Sequence, residues 1–191
     1  NKQLNLTNFK YREDIGLNSI TYKNSGVDIN NTTNILNELK PCFLKTQNEF
    51  CLHGWGDFSG MIKMPQNINN PVLIASIDGV GSKTSFLYNF IQERAYYIGG
   101  QDIVAHSIND ILVKGAVPFF FLDYIASDKI TPKMMDNAIR GMTSLCEYYK
   151  CPILGGETAE MPKIYNNNEV DIAGCIVGIA EREHLINGRN T

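Results

Sequence analysis

The segment that most constrains the fold is an apolar run that passes directly into a glycine-rich polar turn. Residues 72–77, with the sequence Val-Leu-Ile-Ala-Ser-Ile, are typical of a buried strand. Asp78-Gly79-Val80-Gly81-Ser82-Lys83 follows without a linker, and a helix is predicted from residue 84 to about residue 94. A buried strand joined to a helix by so short a turn indicates a sheet with helices packed against it.

The rest of the chain continues this mixture of strands and helices. The clearest helix is predicted over residues 101–114, and at 100° per residue its apolar and polar side chains separate onto opposite faces. The apolar face comprises Val104, Ala105, Ile108, Ile111 and Leu112, and the polar face comprises Asp102, His106, Asn109 and Asp110. Further helices are predicted over residues 34–44, despite Pro41, and 131–150, and further strands over residues 117–126, 151–154 and 170–180. This order predicts the α+β class with one sheet-and-helix layer.

Composition excludes several classes of protein. Seventeen basic and twenty acidic residues give a net charge of −3 without a long basic run, so a nucleic-acid partner has no electrostatic support. The apolar runs are shorter than the roughly 20 residues of a membrane helix, so no membrane partner is expected. The five cysteines are an odd number and include no Cys-x-x-Cys pair, so neither structural zinc nor a disulfide framework is expected. A reducing cytoplasm is therefore the expected location.

The glycine-rich turn has the chemistry of a phosphate-binding segment. Gly79 and Gly81 allow backbone N–H groups to approach a phosphate closely. Lys83 neutralises phosphate charge, Ser82 donates to an oxygen or lies near a metal, and Asp78 is placed to hold Mg²⁺. The spacing differs from the P-loop pattern, so a tight strand-to-helix turn with a capping serine stays open as the alternative.

Acidic and glycine-rich positions elsewhere form further candidate sites, each with a structural alternative. Asp102 begins the polar helix face, where a carboxylate also suits the helix dipole. Glu157 and Glu160 follow two glycines in a predicted turn that suits a ligand, a metal or a capped helix start. Asp123 follows an aromatic run, and an unpaired carboxylate is costly to bury. It therefore either lies at the exposed end of a strand or binds a partner group. The loop of residues 54–60 is rich in glycine, which a flexible surface turn also explains.

Five segments of the chain occur in the order found in one enzyme family. The segments are Tyr22-Lys23-Asn24-Ser25-Gly26-Val27-Asp28, Asp78-Gly79-Val80-Gly81-Ser82-Lys83, Gly99-Gly100-Gln101-Asp102 with Asn109-Asp110, Phe120-Phe121-Leu122-Asp123-Tyr124, and Gly155-Gly156-Glu157-Thr158-Ala159-Glu160-Met161-Pro162. Each segment alone is weak evidence, whereas five in order are specific. From about residue 22 to residue 188 the chain resembles the phosphoribosylformylglycinamidine cyclo-ligases, also known as aminoimidazole ribonucleotide synthetases or PurM.

This resemblance implies a domain organisation. A mobile arm over residues 1–30 would precede an ATP-binding domain over residues 31–188, built on a mixed four-stranded sheet with helices on one face. The sheets of two copies would pair in a barrel-like homodimer. The second domain of the family would begin just after residue 188, so the chain is expected to be a fragment that lacks this domain and is inactive alone.

The same resemblance implies an activity. The whole enzyme would close formylglycinamidine ribonucleotide to 5-aminoimidazole ribonucleotide in purine biosynthesis, using ATP and Mg²⁺ in the cytoplasm. Lys23, Lys83 and Asp102 would be catalytic, and Asp78 and Asp102 would hold the metal. The residues expected to bind the nucleotide, in one shared pocket, are Asp78, Gly79, Gly81, Ser82, Lys83, Asn109, Glu157 and Thr158.

Departures from the family pattern leave alternatives open. Asn24-Ser25 stands where many relatives have Asp-Ala, and His106 replaces a common Met, which argues against a catalytic role for His106. Selenophosphate synthetase, thiamine-phosphate kinase and hydrogenase-maturation proteins belong to the same superfamily. Selenophosphate synthetase would need a reactive cysteine or selenocysteine near the lysine of the arm, and no cysteine lies between Asn1 and Pro41. A non-catalytic dimerisation module is the alternative from a different class.

Overall fold

Four strands form one mixed sheet in the computed structural model, which describes residues 29–52, 56 and 59–188. They are β1 (Pro71–Gly79), β2 (Val117–Ser127), β3 (Ile153–Glu160) and β4 (Val170–Glu181). Both β1 and β2 pair antiparallel with β4, and β3 pairs parallel with β2, so the sheet order is β1-β4-β2-β3. This arrangement confirms the predicted α+β class and the mixed four-stranded sheet.

The helices lie on one side of this sheet. They are α1 (Ile29–Thr46), α2 (Gly81–Ile91), α3 (Arg94–Leu112) and α4 (Pro132–Tyr148), and a 3₁₀ turn follows β4 over Arg182–His184. Alternate residues of the central strands, such as Phe121 and Ile172, are fully buried beneath them. Helix α3 lies between the sheet and α4, and its buried residues Ile103 and Ile111 contact the sheet at Gly174 and Gly178.

Helix α1 is longer than predicted and runs through Pro41. A proline inside a helix removes one backbone hydrogen bond and disturbs the preceding turn. Ile35, Leu39 and Phe43, spaced by four residues, are buried in the core, and their burial offsets that cost. Residues 1–28 of the predicted arm lie outside the described residues.

The predicted boundaries of β3 and α3 also require correction. The turn predicted over residues 155–162 is wrong for residues 155–160, which continue β3 because β2 supplies backbone partners for all six. Helix α3 begins at Arg94, seven residues before its predicted start at residue 101. Gly99 and Gly100 lie inside this helix. A side chain at position 99 would collide with Thr84, and one at position 100 would collide with α4, so the two glycines allow the close packing of α3.

The other face of the sheet has no covering helix within the described residues. Leu73 and Ile77 of β1 are 53% and 74% exposed on this face. Leu122 of β2 lies opposite Cys175 of β4 in the strand register, and Ile77 lies opposite the same residue from the other side. We call the surface formed by Leu73, Ile77, Leu122, Cys175 and Val177 the open sheet face.

The substitution Gly100→Ala is expected to lower the free energy of unfolding by about 1–3 kcal/mol. A Cβ at this position would strike the carbonyl oxygen of Ala138 and the amide nitrogen of Met142, so α3 and α4 must move apart. Urea unfolding measures the change. Glu147→Ala, at an exposed position of α4, is the control and should stay within about 0.5 kcal/mol of the parent. A Gly100→Ala protein as stable as the parent would contradict this close packing.

Candidate functional site

The glycine-rich turn joins the end of β1 to the first turn of α2. Val80 N–H donates to the Ile172 carbonyl oxygen at 2.8 Å, which fixes the turn against β4. A Cβ at position 81 would lie 2.5 Å from an Asp171 carboxylate oxygen, so the turn needs glycine there. Helix α2 begins at Gly81, three residues before its predicted start, and the first N–H groups of a helix have no acceptor within it. This helix start therefore suits an anion.

Lys83 and Asp102 meet across the gap between α2 and α3. The Lys83 Nζ lies 2.6 Å from Asp102 Oδ2, and the Asp102 side chain is 27% exposed. Apart from this ion pair with the lysine ammonium group, that carboxylate oxygen has no hydrogen-bond partner among the described residues. The sequence placed both residues in the site, and the fold brings them together.

A second polar cluster lies beside this pair, at the end of β1. His106 Nε2 is 2.6 Å from Asp78 Oδ2 and 3.9 Å from Asp110 Oδ1. Ser76 Oγ donates to Asp110 Oδ2 at 2.7 Å. The Asp78 carboxylate also accepts from Gly79 N–H at 2.6 Å, and this bond, followed by the contact with His106, holds the pKa of Asp78 below its usual value.

Sequence reasoning gave no role to His106, Asp110 or Ser76. The available signal was the spacing of Asp102, His106 and Asp110, because residues four apart on a helix share one face. Their meeting with Asp78 depends on how the end of β1 packs on α3, which the helical pattern does not contain.

Both clusters border an open cavity of about 460 Å³. Its volume is in the range of small-molecule sites, and it contains groups of both charges. The residues that line it are Gly79, Val80, Ser82, Lys83, Asp102, Ala105, His106 and Asn109. We call it the phosphate cavity. Asn109, which the sequence also assigned to the nucleotide, therefore lies on its wall.

A separate cavity of about 220 Å³ lies near β3. Asp123 and Thr158 line it together with Gly155 and Gly156. Strands β1 and β3 are the two edges of the sheet, three strand spacings or roughly 14 Å apart. One copy of the chain therefore does not bring Glu157 and Thr158 to the phosphate cavity.

Asp123 is buried inside β2, so the sequence alternative that placed it at an exposed strand end is wrong. Its side chain is accommodated because residue 156 is glycine, where a Cβ would collide with Asp123 Oδ1. The residue is 8% exposed. Burial, and secondly the negative charge of Glu157, raise the pKa of Asp123 to about 7. A carboxyl group with this pKa exchanges a proton near neutral pH.

Two predicted features fall wholly or partly outside the described residues. Lys23, assigned to a mobile arm, lies outside them. Of the glycine-rich loop over residues 54–60, residues 56, 59 and 60 are described, and Gly56 lines the cavity that contains Asp123. Within the described part of the chain, no helix has the length and apolar character required to cross a membrane.

Comparison with known proteins identifies several relatives. Residues 56–180 match the family model for the AIR synthase related protein, N-terminal domain. A phosphoribosylformylglycinamidine cyclo-ligase from Clostridium perfringens is 40% identical over 171 residues, which are 90% of this chain and 50% of the relative. The protein of the same name from Prochlorococcus marinus is 43% identical over 171 residues, 88% of this chain and 48% of the relative. The chain thus spans about half the length of these relatives.

Solved structures resemble the fold at lower sequence identity. Thiamine-monophosphate kinase from Stenotrophomonas maltophilia matches with a TM-score of 0.60 and 17% identity, over 79% of this chain and 43% of that one. A hydrogenase maturation protein, HypE, in complex with ATP matches with a TM-score of 0.57 and 13% identity, over 81% of this chain and 41% of that one. At these identities the likeness concerns the fold alone.

Replacing the buried carboxyl group by Asp123→Asn is expected to change how stability depends on pH. The pKa of Asp123 is raised from 3.8 to about 7 on folding, so the folded state binds its proton more tightly than the unfolded state. The contribution of Asp123 to stability is therefore largest below about pH 4 and is lost as the pH rises through 7, by up to about 1.4 kcal/mol per pH unit.

Urea unfolding at a series of pH values measures this dependence. The difference between the parent and Asp123→Asn isolates the contribution of Asp123, since the other titrating groups are common to both. Parallel curves for the two proteins between pH 4 and pH 7 would contradict the raised pKa.

Proposed function

Because the chain belongs to the AIR synthase related N-terminal domain family, we propose that it is the ATP-binding and dimerisation domain of a phosphoribosylformylglycinamidine cyclo-ligase. Relatives with this name at 40% and 43% identity support the proposal. The whole enzyme closes formylglycinamidine ribonucleotide to 5-aminoimidazole ribonucleotide in purine biosynthesis, and ATP gives ADP and phosphate. In this proposal residues 31–188 bind the nucleotide, and a further domain completes the ribonucleotide site.

The observation that carries the proposal is the meeting of Lys83 and Asp102 at the phosphate cavity, 2.6 Å apart. The start of α2 offers backbone N–H groups to phosphate oxygens, and the Lys83 ammonium group neutralises their charge. Ser82 lines the same cavity and can donate to an oxygen. Positioning and charge stabilisation of this kind supply most of the catalysis in phosphoryl transfer. We assign catalytic roles to Lys83 and Asp102, and to Lys23 by resemblance alone.

We further propose that Asp78 and Asp102 hold Mg²⁺ beside the phosphates. Carboxylate oxygens are suitable ligands for this hard cation. The Asp78 carboxylate is exposed at the end of β1, and its lowered pKa keeps it ionised. The Asp102 oxygen has lysine as its polar contact, and phosphate can compete for that lysine. Bound Mg²⁺ would neutralise developing charge on the transferred group.

The open sheet face supports a homodimer. Antiparallel sheets with one solvated face normally alternate apolar and polar residues. Here Leu73 and Ile77 remain exposed on β1, and Leu122 on β2 extends the same apolar surface. Pairing of two such faces would bury this apolar area. A dimer that joins the β3 edge of one copy to the β1 edge of the other would bring Glu157 and Thr158 near the nucleotide.

Another nucleotide enzyme of the same superfamily is the alternative within the enzyme class. The likeness to thiamine-monophosphate kinase and HypE supports the fold alone, whereas relatives near 40% identity carry the cyclo-ligase name. A non-catalytic dimerisation module remains the alternative from another class, and nucleotide titration separates it from the proposal. We propose a cytoplasmic location, which the five free cysteines support.

The substitution Asp78→Asn is expected to weaken the binding of Mg²⁺-ATP at least about tenfold, equivalent to 1.4 kcal/mol. The amide is isosteric but carries no charge for the cation. Isothermal titration calorimetry measures the affinity. Asp136→Asn is the matched control, because Asp136 pairs with Arg140 on the surface of α4 and should leave the affinity unchanged. Unchanged binding in Asp78→Asn would exclude the metal role of this carboxylate.

The substitution Ile77→Lys is expected to convert the proposed homodimer to a monomer. Two ammonium groups buried between the paired sheets would lack partners, and unpaired buried charge is costly. Sedimentation equilibrium measures the mass. Ile164→Lys is the control at a comparably exposed isoleucine outside the sheet. If the parent chain is a monomer at micromolar concentration, or if Ile77→Lys stays dimeric, the open sheet face is not the dimer interface.

A further inference from the structure

The imidazole of His106 lies between two carboxylates that come from different elements. Asp78 ends β1, whereas His106 and Asp110 lie one helical turn apart on α3. One ligand atom from each of the three side chains lies within 4.8 Å of the others. Within the described part of the chain, this is the one such group of three or more histidine, cysteine, aspartate or glutamate residues.

The donor set of this cluster differs from that of a magnesium site. Mg²⁺ takes oxygen ligands and water, while an imidazole nitrogen favours Zn²⁺ and the other late first-row ions. One nitrogen and two carboxylate oxygens form a three-ligand set that leaves further positions open for water or a ligand oxygen. The presence of His106 therefore changes which cation this end of β1 prefers.

We propose that Asp78, His106 and Asp110 form a binding site for a divalent transition-metal ion, represented by Zn²⁺, which binds there in preference to Mg²⁺. The inference rests on the proposed function in one respect, since Asp78 is shared with the nucleotide site. It differs in naming His106 as a ligand and a transition metal as the ion.

The geometry permits this coordination with small movements. Metal–ligand bonds of about 2.0–2.2 Å place neighbouring ligand atoms roughly 2.9–3.5 Å apart. The present separations from His106 Nε2 are 2.6 Å to Asp78 and 3.9 Å to Asp110, so relative to the imidazole each carboxylate moves by less than about an ångström. His106 and Asp78 are exposed side chains that are free to adjust.

Ser76 supports the third ligand from β1. Its hydroxyl donates to Asp110 Oδ2 at 2.7 Å, which leaves Oδ1, the oxygen nearer His106, available for the ion. Hydrogen bonds of this kind orient ligating carboxylates and raise metal affinity. Lys83 does not block the site, because its ammonium group is paired with Asp102, which lies one helical turn before His106 on α3.

The test is titration of the chain with Zn²⁺ and, separately, with Mg²⁺, both without nucleotide and followed by calorimetry. The parent should bind one Zn²⁺ at least about tenfold more tightly than Mg²⁺. His106→Ala should weaken Zn²⁺ binding at least about tenfold and change Mg²⁺ binding less than about twofold. His184→Ala is the control, because this exposed histidine lies beyond β4 and outside the cluster.

A Co²⁺ spectrum gives a readout that a purely structural effect would not produce. Loss of an imidazole ligand should shift the visible absorption bands of bound Co²⁺ in His106→Ala but not in His184→Ala. Circular dichroism of both variants verifies that they are folded. Equal Zn²⁺ affinity in the parent and His106→Ala, or equal losses in the two histidine variants, would overturn the proposal.

The outcome is separable from the fate of the proposed function. Zn²⁺ binding that depends on His106 supports the metal site even if Mg²⁺-ATP fails to bind. Normal binding of Mg²⁺-ATP together with Zn²⁺ binding that ignores His106 would leave the nucleotide proposal intact and overturn this one.

Discussion

The close packing of α3 is the constraint on which the rest of the structure depends. Gly100 lets this helix approach α4, and Gly174 of β4 leaves room for Phe121 and Ile103 on the other side. Because α3 is held between the sheet and α4, its remaining polar side has a fixed direction. That side carries Asp102 and His106 to the end of β1, where Lys83 and Asp78 are already positioned. A loosened helix contact would therefore displace both polar clusters together.

The helices cover one face of the sheet and leave the other open, and the two cavities lie at opposite edges of this sheet. Helices bury one face, while the open sheet face retains apolar side chains such as Ile77. The phosphate cavity lies at the β1 edge, and the cavity containing Asp123 lies near the β3 edge. Pairing of two open faces would bring edges of different copies close to one another. If two open sheet faces form the proposed dimer, the same surface would also bring the two cavities of different copies together.

Periodicity and motif order predicted much of this fold from the sequence. The strand before Asp78 and the helix carrying Asp102 were predicted from local patterns, and the element order was correct. The predicted burial of that strand was wrong, because β1 is an edge strand whose residues are exposed or half-buried. On the predicted apolar face of α3, Leu112 is exposed. Helix α1 was predicted through Pro41 but over residues 34–44 alone, whereas it spans Ile29–Thr46. The cost of Pro41 is offset by tertiary burial that no local window contains. The continuation of β3 through Gly155 was missed for a similar reason, since glycines indicate turns until a neighbouring strand pairs with them.

The predicted and unpredicted parts of the site differ in how far apart their residues lie in sequence. Lys83 and Asp102 were expected because each belongs to a segment with its own signature. The contact of His106 with Asp78 spans 28 positions and depends on the angle between β1 and α3. The contact of Ser76 with Asp110 was not predicted either, because it depends on the orientation of the Asp110 side chain. Sequence patterns identify which side chains are polar, but the partners are fixed by packing.

Charge balance gives a cation a central part in the proposed function of this site. Asp102 lines the phosphate cavity, and Asp78 and Asp110 lie beside His106, which is on the cavity wall. The Lys83 ammonium group is paired with Asp102. A nucleoside triphosphate adds further negative charge, so its approach without a cation would be opposed by the carboxylates. A divalent ion held by the carboxylates converts that repulsion into attraction and leaves Lys83 free to contact phosphate. In the proposed site, the acidic residues that disfavour the bare anion would therefore recruit the ion that makes binding favourable.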